Sequence, residues 1–239
     1  IGMTHNGNLT NWMDLKSREY PANHITLESS CDVEAILYAF ASGMKDADPS
    51  LPREQRVRLA TARAFETTKG AYSVAGILAE GTLFAFRDPT GIKPCIVGKR
   101  ETEEGTEWAV ASESVALDVL GFTRVRDLRN GEAILVEPGQ DPIWIQVVEQ
   151  EHRPCIFELV YFARPDSFLD EISVYKTRRR FGETLAQQWR ESGAPEPDVV
   201  IPIPDSARDA ALSMAQELGV PYREGFIKNR YVGRTFIMP

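Results

Sequence analysis

Apolar residues recur along this chain in two rhythms. Between Asp32 and Met44, Val33, Ile36, Leu37, Phe40 and Ala41 fall at i, i+3, i+4, i+7 and i+8, the spacing of one helix face. A second helix is predicted over Arg53–Thr67, more polar, with Val57, Ala60 and Ala64 on its apolar side. The rhythm then changes to strands. Ala71–Leu78 and Thr82–Arg87 flank the short Gly-containing connection Ala79-Glu80-Gly81, a hairpin signal. Ile96–Lys99, Glu107–Ala111, Gly131–Val136 and Ile143–Val148 continue the series, and Ser112-Glu113-Ser114 reads as a helix start. Helices followed by many antiparallel-type strands predict sheets faced by helices, an α+β layered domain.

Beyond Gln150 the order alternates. Cys155–Phe162 is a strand candidate, and Val174–Glu191 a helix with Thr177, Phe181, Leu185 and Trp189 in one i+4 row. The wholly apolar Val199–Pro204 reads as a buried parallel strand. Ala207–Leu218 is a helix stopped by Gly219 and Pro221. This alternation opens an α/β domain, so a boundary is placed near Gln150, giving parts 1–150 and 151–239. The opening Ile-Gly-Met-Thr reads as a strand that enters a turn at Asn6-Gly7.

Charge follows the same division. The 239 residues carry 27 Lys+Arg and 35 Asp+Glu, net −8, and almost all of the excess acid lies before Gln150. An acidic chain argues against nonspecific nucleic-acid binding. No apolar run approaches the roughly 20 residues of a membrane span, and no signal peptide is visible. Cys31, Cys95 and Cys155 cannot build a disulfide framework, which points to a reducing, cytoplasmic setting.

Four segments could carry chemistry. In His5-Asn6-Gly7-Asn8, a turn with positive φ at Gly7 would aim its N–H and the Asn6 amide at one oxygen, as an oxyanion hole does; an ordinary turn is much the commoner reading of an isolated pair. Asp32 starts a helix, either as its cap or as a carboxylate for a substrate ammonium. Asp205 and Ser206 follow an apolar strand and open a helix, a position for an anion or simply for a cap. In the tail, Lys228, Arg230, Tyr231 and Arg234, with no acid among them, suit a loop over phosphates or a solvated basic edge. Arg178-Arg179-Arg180 reads as a solvated or intersubunit run. His5, His24 and His152 are far apart in sequence and no Cys-x-x-Cys occurs, so no metal pattern is predicted.

Five segments together resemble the amidophosphoribosyltransferase family over essentially the whole chain. They are His5-Asn6-Gly7-Asn8-Leu9-Thr10-Asn11, Phe86-Arg87-Asp88-Pro89, Ala111-Ser112-Glu113-Ser114-Val115-Ala116-Leu117-Asp118, residues 157–167 and residues 228–237. The first is shared with other class II glutamine amidotransferases, and the last two are far more specific. The resemblance implies an N-terminal-nucleophile glutaminase part, an αββα sandwich, followed by an α/β phosphoribosyltransferase part, both incomplete. It implies that glutamine gives ammonia, which is added to phosphoribosylpyrophosphate to yield 5-phosphoribosylamine, the first step of de novo purine biosynthesis. On this reading Asn6 and the Gly7 N–H are the oxyanion hole, and Asp32 holds the glutamine ammonium. Asp205 and Ser206 meet pyrophosphate, Lys228, Arg230, Tyr231 and Arg234 belong to a closing loop, and Phe157, Tyr161, Phe162 and Ile237 line an ammonia channel. Further implications are Mg²⁺ with the phosphoribosyl substrate, feedback by purine nucleotides, and a homo-oligomer, dimer or tetramer. In some members a cysteine at the position of Cys155 ligates a [4Fe–4S] cluster. The family nucleophile is an N-terminal cysteine, whereas residue 1 here is Ile, so the chain reads as an inactive internal piece. The alternatives are another class II amidotransferase and a non-catalytic nucleotide-binding regulator on the same scaffold.

Overall fold

A computed structural model describes residues 1–229 and Tyr231. The chain divides into two compact units. The first comprises residues 1–155 and 169–171, and the second comprises 156–168 and the residues from 172 on.

In the first unit, strand β1 (Gly2–Leu9) leads into a helical segment: α1 (Trp12–Asp14), a π-helical stretch Leu15–Glu19 and α2 (Tyr20–Ala22). Helices α3 (Val33–Asp46) and α4 (Arg53–Thr67) follow. Next come β2 (Gly70–Ile77), β3 (Leu83–Arg87), β4 (Ile96–Thr102), β5 (Gly105–Ala111), α5 (Ser114–Val119), β6 (Thr123–Asp127), β7 (Glu132–Val136) and β8 (Ile143–Gln146). The strands form two sheets. One is ordered β1-β2-β3-β7-β8 and the other β5-β4-β6, with antiparallel pairing throughout.

The period of two along each strand explains the layering. On β3, Phe84 and Phe86 face one way, into a core with Ile36 and Phe40 of α3 and Val57, Ala60 and Ala64 of α4. Ala85, between them, faces the opposite way, into a second core with Cys95, Val97, Leu128, Ile134 and Val136. Strand β7 splits likewise, Ala133 and Leu135 to the helices, Ile134 and Val136 to the other sheet. On β4, Val97 points inward while Leu117 of α5 lies against Gly98 on the outer face, where a Cβ would come within 2.9 Å of it. The order is therefore helix, sheet, sheet, helix: the αββα sandwich expected above. Phe40 stacks on Phe84 with centroids 4.5 Å apart, a contact whose aromatic geometry adds to simple burial.

Two local expectations fail here. Asn6-Gly7 is not a turn. Both residues lie inside β1, paired with Ser73 and Tyr72 of β2. Glycine is needed for closeness: a Cβ on Gly7 would lie 2.2 Å from the Ala71 carbonyl oxygen and 2.6 Å from Tyr72 Cα. Strand β6 was not foreseen, because Thr123–Asp127 alternates with charged residues on a half-exposed strand.

In the second unit, Cys155–Phe162 is not a strand. Glu158–Phe162 is a short π-helix in which the rings of Phe157, Tyr161 and Phe162 pack on one another at 5.2–5.6 Å. Two two-residue strands, β9 (Phe168–Leu169) and β10 (Ile172–Ser173), flank a turn, counted with the first unit, whose residues Asp170 and Glu171 have φ of 47° and 65°. Helices α6 (Val174–Glu191) and α7 (Arg208–Leu218) follow. The buried row of α6 is Val174, Arg178, Gly182 and Ala186, one residue off the expected aromatic row. Leu185 and Trp189 are exposed. At Gly182 a Cβ would stand 2.0 Å from the Ala210 carbonyl oxygen, so α7 packs too close for a side chain there. Arg178 is consequently not solvated: it is buried and donates to the carbonyls of Leu159 and Ala163 at 2.8 and 2.7 Å. Among the described residues Val199–Pro204 makes one bridge, a parallel one between Val200 and Tyr222 on either side of α7. Ile201 and Ile203 are exposed, so this run is not a buried strand among the described residues. Gly219 ends α7 at φ 74°, the left-handed stop that the sequence predicts. Among the described residues no helix is long and apolar enough to cross a membrane.

Candidate functional site

The first site is built on β1 and the start of α3. Asp32 precedes α3, yet its side chain makes no capping bond to that helix. It turns to β1 instead, where Oδ2 accepts the Leu9 N–H at 2.7 Å and Oδ1 lies 2.9 Å from His5 Nε2. The His5 contact is close but falls outside directed hydrogen-bond geometry. Burial by itself would raise the Asp32 carboxyl. The contact with His5 and the Leu9 N–H together outweigh burial and hold it below its ordinary 3.8. The result is a fixed carboxylate, formed before any substrate arrives. The strand reading of β1 is what allows this. Residues 5 and 9 are four apart on one strand, and the β1 pairing sets them both beside Asp32.

Asn6 lines a cavity of about 250 Å³ with Thr4, His5, Ser73, Cys95 and Ser112. Cys95 is a neighbour that sequence reasoning missed, since nothing local connects residues 6 and 95. It is wholly buried, and burial pushes its thiol up to about 12, so it stays protonated and weakly nucleophilic near neutral pH. Cys31 lies close to His5 and Asp32, with one ligand-capable atom from each of the three within 4.8 Å of the others. The expectation of no metal pattern is corrected at this point, because the strand and the helix start bring together residues 26 and 27 positions apart.

A buried ion pair supports this unit. The Arg87 guanidinium donates to both Asp170 oxygens, at 2.6 and 2.9 Å, and to the carbonyls of Lys93, Leu128 and Gly91. Its side chain is 2% exposed.

The second site lies wholly within the second unit. Tyr161, Phe162, Arg164, Arg178, Asp205, Ser206, Arg208 and Lys228 border a cavity of about 460 Å³. Neither Asp205 nor Ser206 caps α7; the residue before that helix is Ala207, with no side-chain bond. Asp205 faces Arg208 at 3.5 Å and Lys228 at 3.9 Å, and is half exposed. These are loose pairings, worth little in water. Phe157 joins the aromatic cluster beside Tyr161 and Phe162. Tyr231 is fully exposed. Arg230, Arg234 and Ile237 lie outside the described residues.

Residues 1–119 match the family model for a glutamine amidotransferase domain. The whole chain aligns with amidophosphoribosyltransferases from Pseudomonas aeruginosa at 46% identity, Saccharomyces cerevisiae at 45% and Escherichia coli at 43%, covering 48% of each. Along its whole length the chain is similar to amidophosphoribosyltransferases. It spans about half the length of the curated relatives it matches. Among solved structures it resembles a glutamine phosphoribosylpyrophosphate amidotransferase from B. subtilis, complexed with ADP and GMP. The TM-score is 0.80 at 32% identity, over 99% of this chain and 48% of that one. Amidophosphoribosyltransferase similarity thus extends through both units, beyond the segment that the glutamine amidotransferase model matches.

Proposed function

We propose that this chain supplies the glutaminase part, residues 1–150, and the start of the phosphoribosyltransferase part, residues 151–239, of a glutamine-dependent enzyme. That enzyme transfers ammonia to phosphoribosylpyrophosphate and gives 5-phosphoribosylamine, opening de novo purine biosynthesis. The observation that carries the reading is similarity to amidophosphoribosyltransferases along 100% of the chain. A generic class II amidotransferase would share only the first unit.

In this reading the Asp32 carboxylate receives the glutamine α-ammonium. The Asn6 amide, with the Gly7 N–H, donates to the oxyanion formed at the glutamine carbonyl. None of the chain's own cysteines suits the nucleophilic role. Cys95 is a buried neutral thiol, and neither Cys31 nor Cys155 borders the Asn6 cavity. The chain alone therefore releases no ammonia. Phe157, Tyr161 and Phe162, with Ile237, form an apolar wall for ammonia, which such a surface neither binds tightly nor protonates. Asp205 and Ser206 sit where pyrophosphate meets the start of α7, and Lys228, Arg230, Tyr231 and Arg234 bring cationic and hydroxyl groups to phosphate. Mg²⁺ bound with the phosphoribosyl substrate would screen its charge. A [4Fe–4S] cluster, where a member of the family holds one, would take Cys155 as one thiolate ligand. Purine nucleotides as feedback ligands accord with the ADP and GMP held by the B. subtilis protein. A cytoplasmic setting suits three free cysteines. The parent is a homo-oligomer, dimer or tetramer.

Two substitutions in the parent enzyme test the reading. Asn6→Ala should lower kcat for glutamine hydrolysis by about 100- to 1,000-fold, the loss typical of an oxyanion donor. Tyr161→Ala should keep hydrolysis but lower the phosphoribosylamine formed per glutamine consumed. Unchanged hydrolysis in the first, or unchanged yield in the second, removes the corresponding role.

A further inference from the structure

We propose that His5, Cys31 and Asp32 form a three-ligand site for a thiophilic divalent cation, zinc above all. The three donors come from two elements that the fold fixes, β1 and the start of α3, and their ligand atoms lie within 4.8 Å of one another. A tetrahedral zinc with bonds of ~2.0–2.3 Å holds its ligands about 3.5 Å apart, so small side-chain movements suffice. Thiolate, imidazole and carboxylate make a donor set that favours zinc over magnesium or calcium.

The existing contacts leave the donors available. Asp32 Oδ2 is engaged by the Leu9 N–H, which fixes the carboxylate plane, while Oδ1 is directed to His5. His5 Nε2 is buried and has no aligned hydrogen-bond partner, although Asp32 lies 2.9 Å away. Such an atom gains by donating its lone pair to a metal. Cys31 is exposed and precedes the helix, so its Sγ can swing inward without moving the core. Binding exchanges one thiol proton for the metal: the S–H bond breaks, an S–metal bond forms and the proton leaves to solvent. A fourth position remains for water.

The consequence for glutamine rests on the proposed role of Asp32 as ammonium acceptor. A cation on Oδ1 occupies that carboxylate and excludes the ammonium, so metal and glutamine compete. The site itself does not depend on that role.

The test uses cobalt as a spectroscopic stand-in. The reduced chain, titrated with Co²⁺, should bind one ion with release of one proton, visible d–d bands and a near-ultraviolet thiolate charge-transfer band, and Zn²⁺ should displace the Co²⁺ and bleach both bands without further proton release. Cys31→Ser should abolish the charge-transfer band and weaken zinc by on the order of 100-fold or more, at least the upper loss seen for outer-shell changes. Cys155→Ser should keep both. No thiolate band in the unaltered chain, or a band of full strength in Cys31→Ser, overturns the site. In the parent enzyme, micromolar Zn²⁺ should raise KM for glutamine, and Cys31→Ser should relieve the effect. Cobalt binding through Cys31 with an unmoved KM keeps the site and overturns its coupling to glutamine.

Discussion

Asp32 and Asp205 are both aspartates at the start of a helix, and the fold treats them oppositely. Asp32 is 16% exposed and held by a backbone N–H at 2.7 Å and His5 at 2.9 Å. Asp205 is 54% exposed and faces two cations at 3.5 and 3.9 Å. The first carboxylate is set before a ligand comes, which would suit the small ammonium group proposed for it. The second sits among side chains free to rearrange, which would suit the larger phosphate proposed there. The same contrast separates the surroundings. The first unit buries two apolar cores and the Arg87–Asp170 pair. The second leaves Tyr161, Phe162 and Ile203 exposed.

Three substitutions probe that contrast, from the largest expected effect to the smallest. Arg87→Ala removes one partner of a buried pair and leaves Asp170 and three carbonyls short of a donor. It should lower stability by about 3–5 kcal/mol in urea unfolding. Hydrogen exchange should accelerate in β2, β3 and β7 before α6 and α7; uniform acceleration would erase the distinction between the units. Asp32→Ala orphans the Leu9 N–H and should cost about 1–3 kcal/mol at neutral pH. Because the folded carboxyl titrates below its ordinary 3.8, its contribution is complete above that value and lost as pH falls through the lower, folded value. The gap between Asp32→Ala and the unaltered chain should therefore close in acid, and a pH-independent gap would contradict a charged, preorganised Asp32. Asp205→Asn should change stability by less than about 1 kcal/mol, as exposed ion pairs do. A larger loss would make the second site as rigid as the first.

Periodicity made the layered fold legible. The apolar stripe of α3 and the alternation on β3 and β7 name their own burial partners, because side-chain direction follows from backbone repeat. Local chemistry was less reliable where a distant partner decided the outcome. Asn-Gly favours a turn, yet pairing with β2 keeps it extended, and Gly7 serves close strand contact. Three successive arginines favour solvent, yet the tight crossing at Gly182 turns Arg178 inward to two carbonyls. The aromatic segment 157–162 has strand-like composition, but its rings satisfy one another on a helical turn. The nearness of Cys31 to His5, and of Cys95 to Asn6, exists only once the sheets are assembled, and no spacing in the sequence encodes it.

The turn Leu169–Glu171 belongs to the first unit although both of its flanks belong to the second. This has a consequence for the order of synthesis. When residue 155 has left the ribosome, both sheets are present, but the Arg87 guanidinium still lacks its carboxylate. The first unit can condense early and becomes electrostatically complete only about fifteen residues later, which takes roughly one to three seconds of translation. Nascent chains halted on either side of Asp170 should therefore differ in resistance to protease, although no strand of either large sheet separates them.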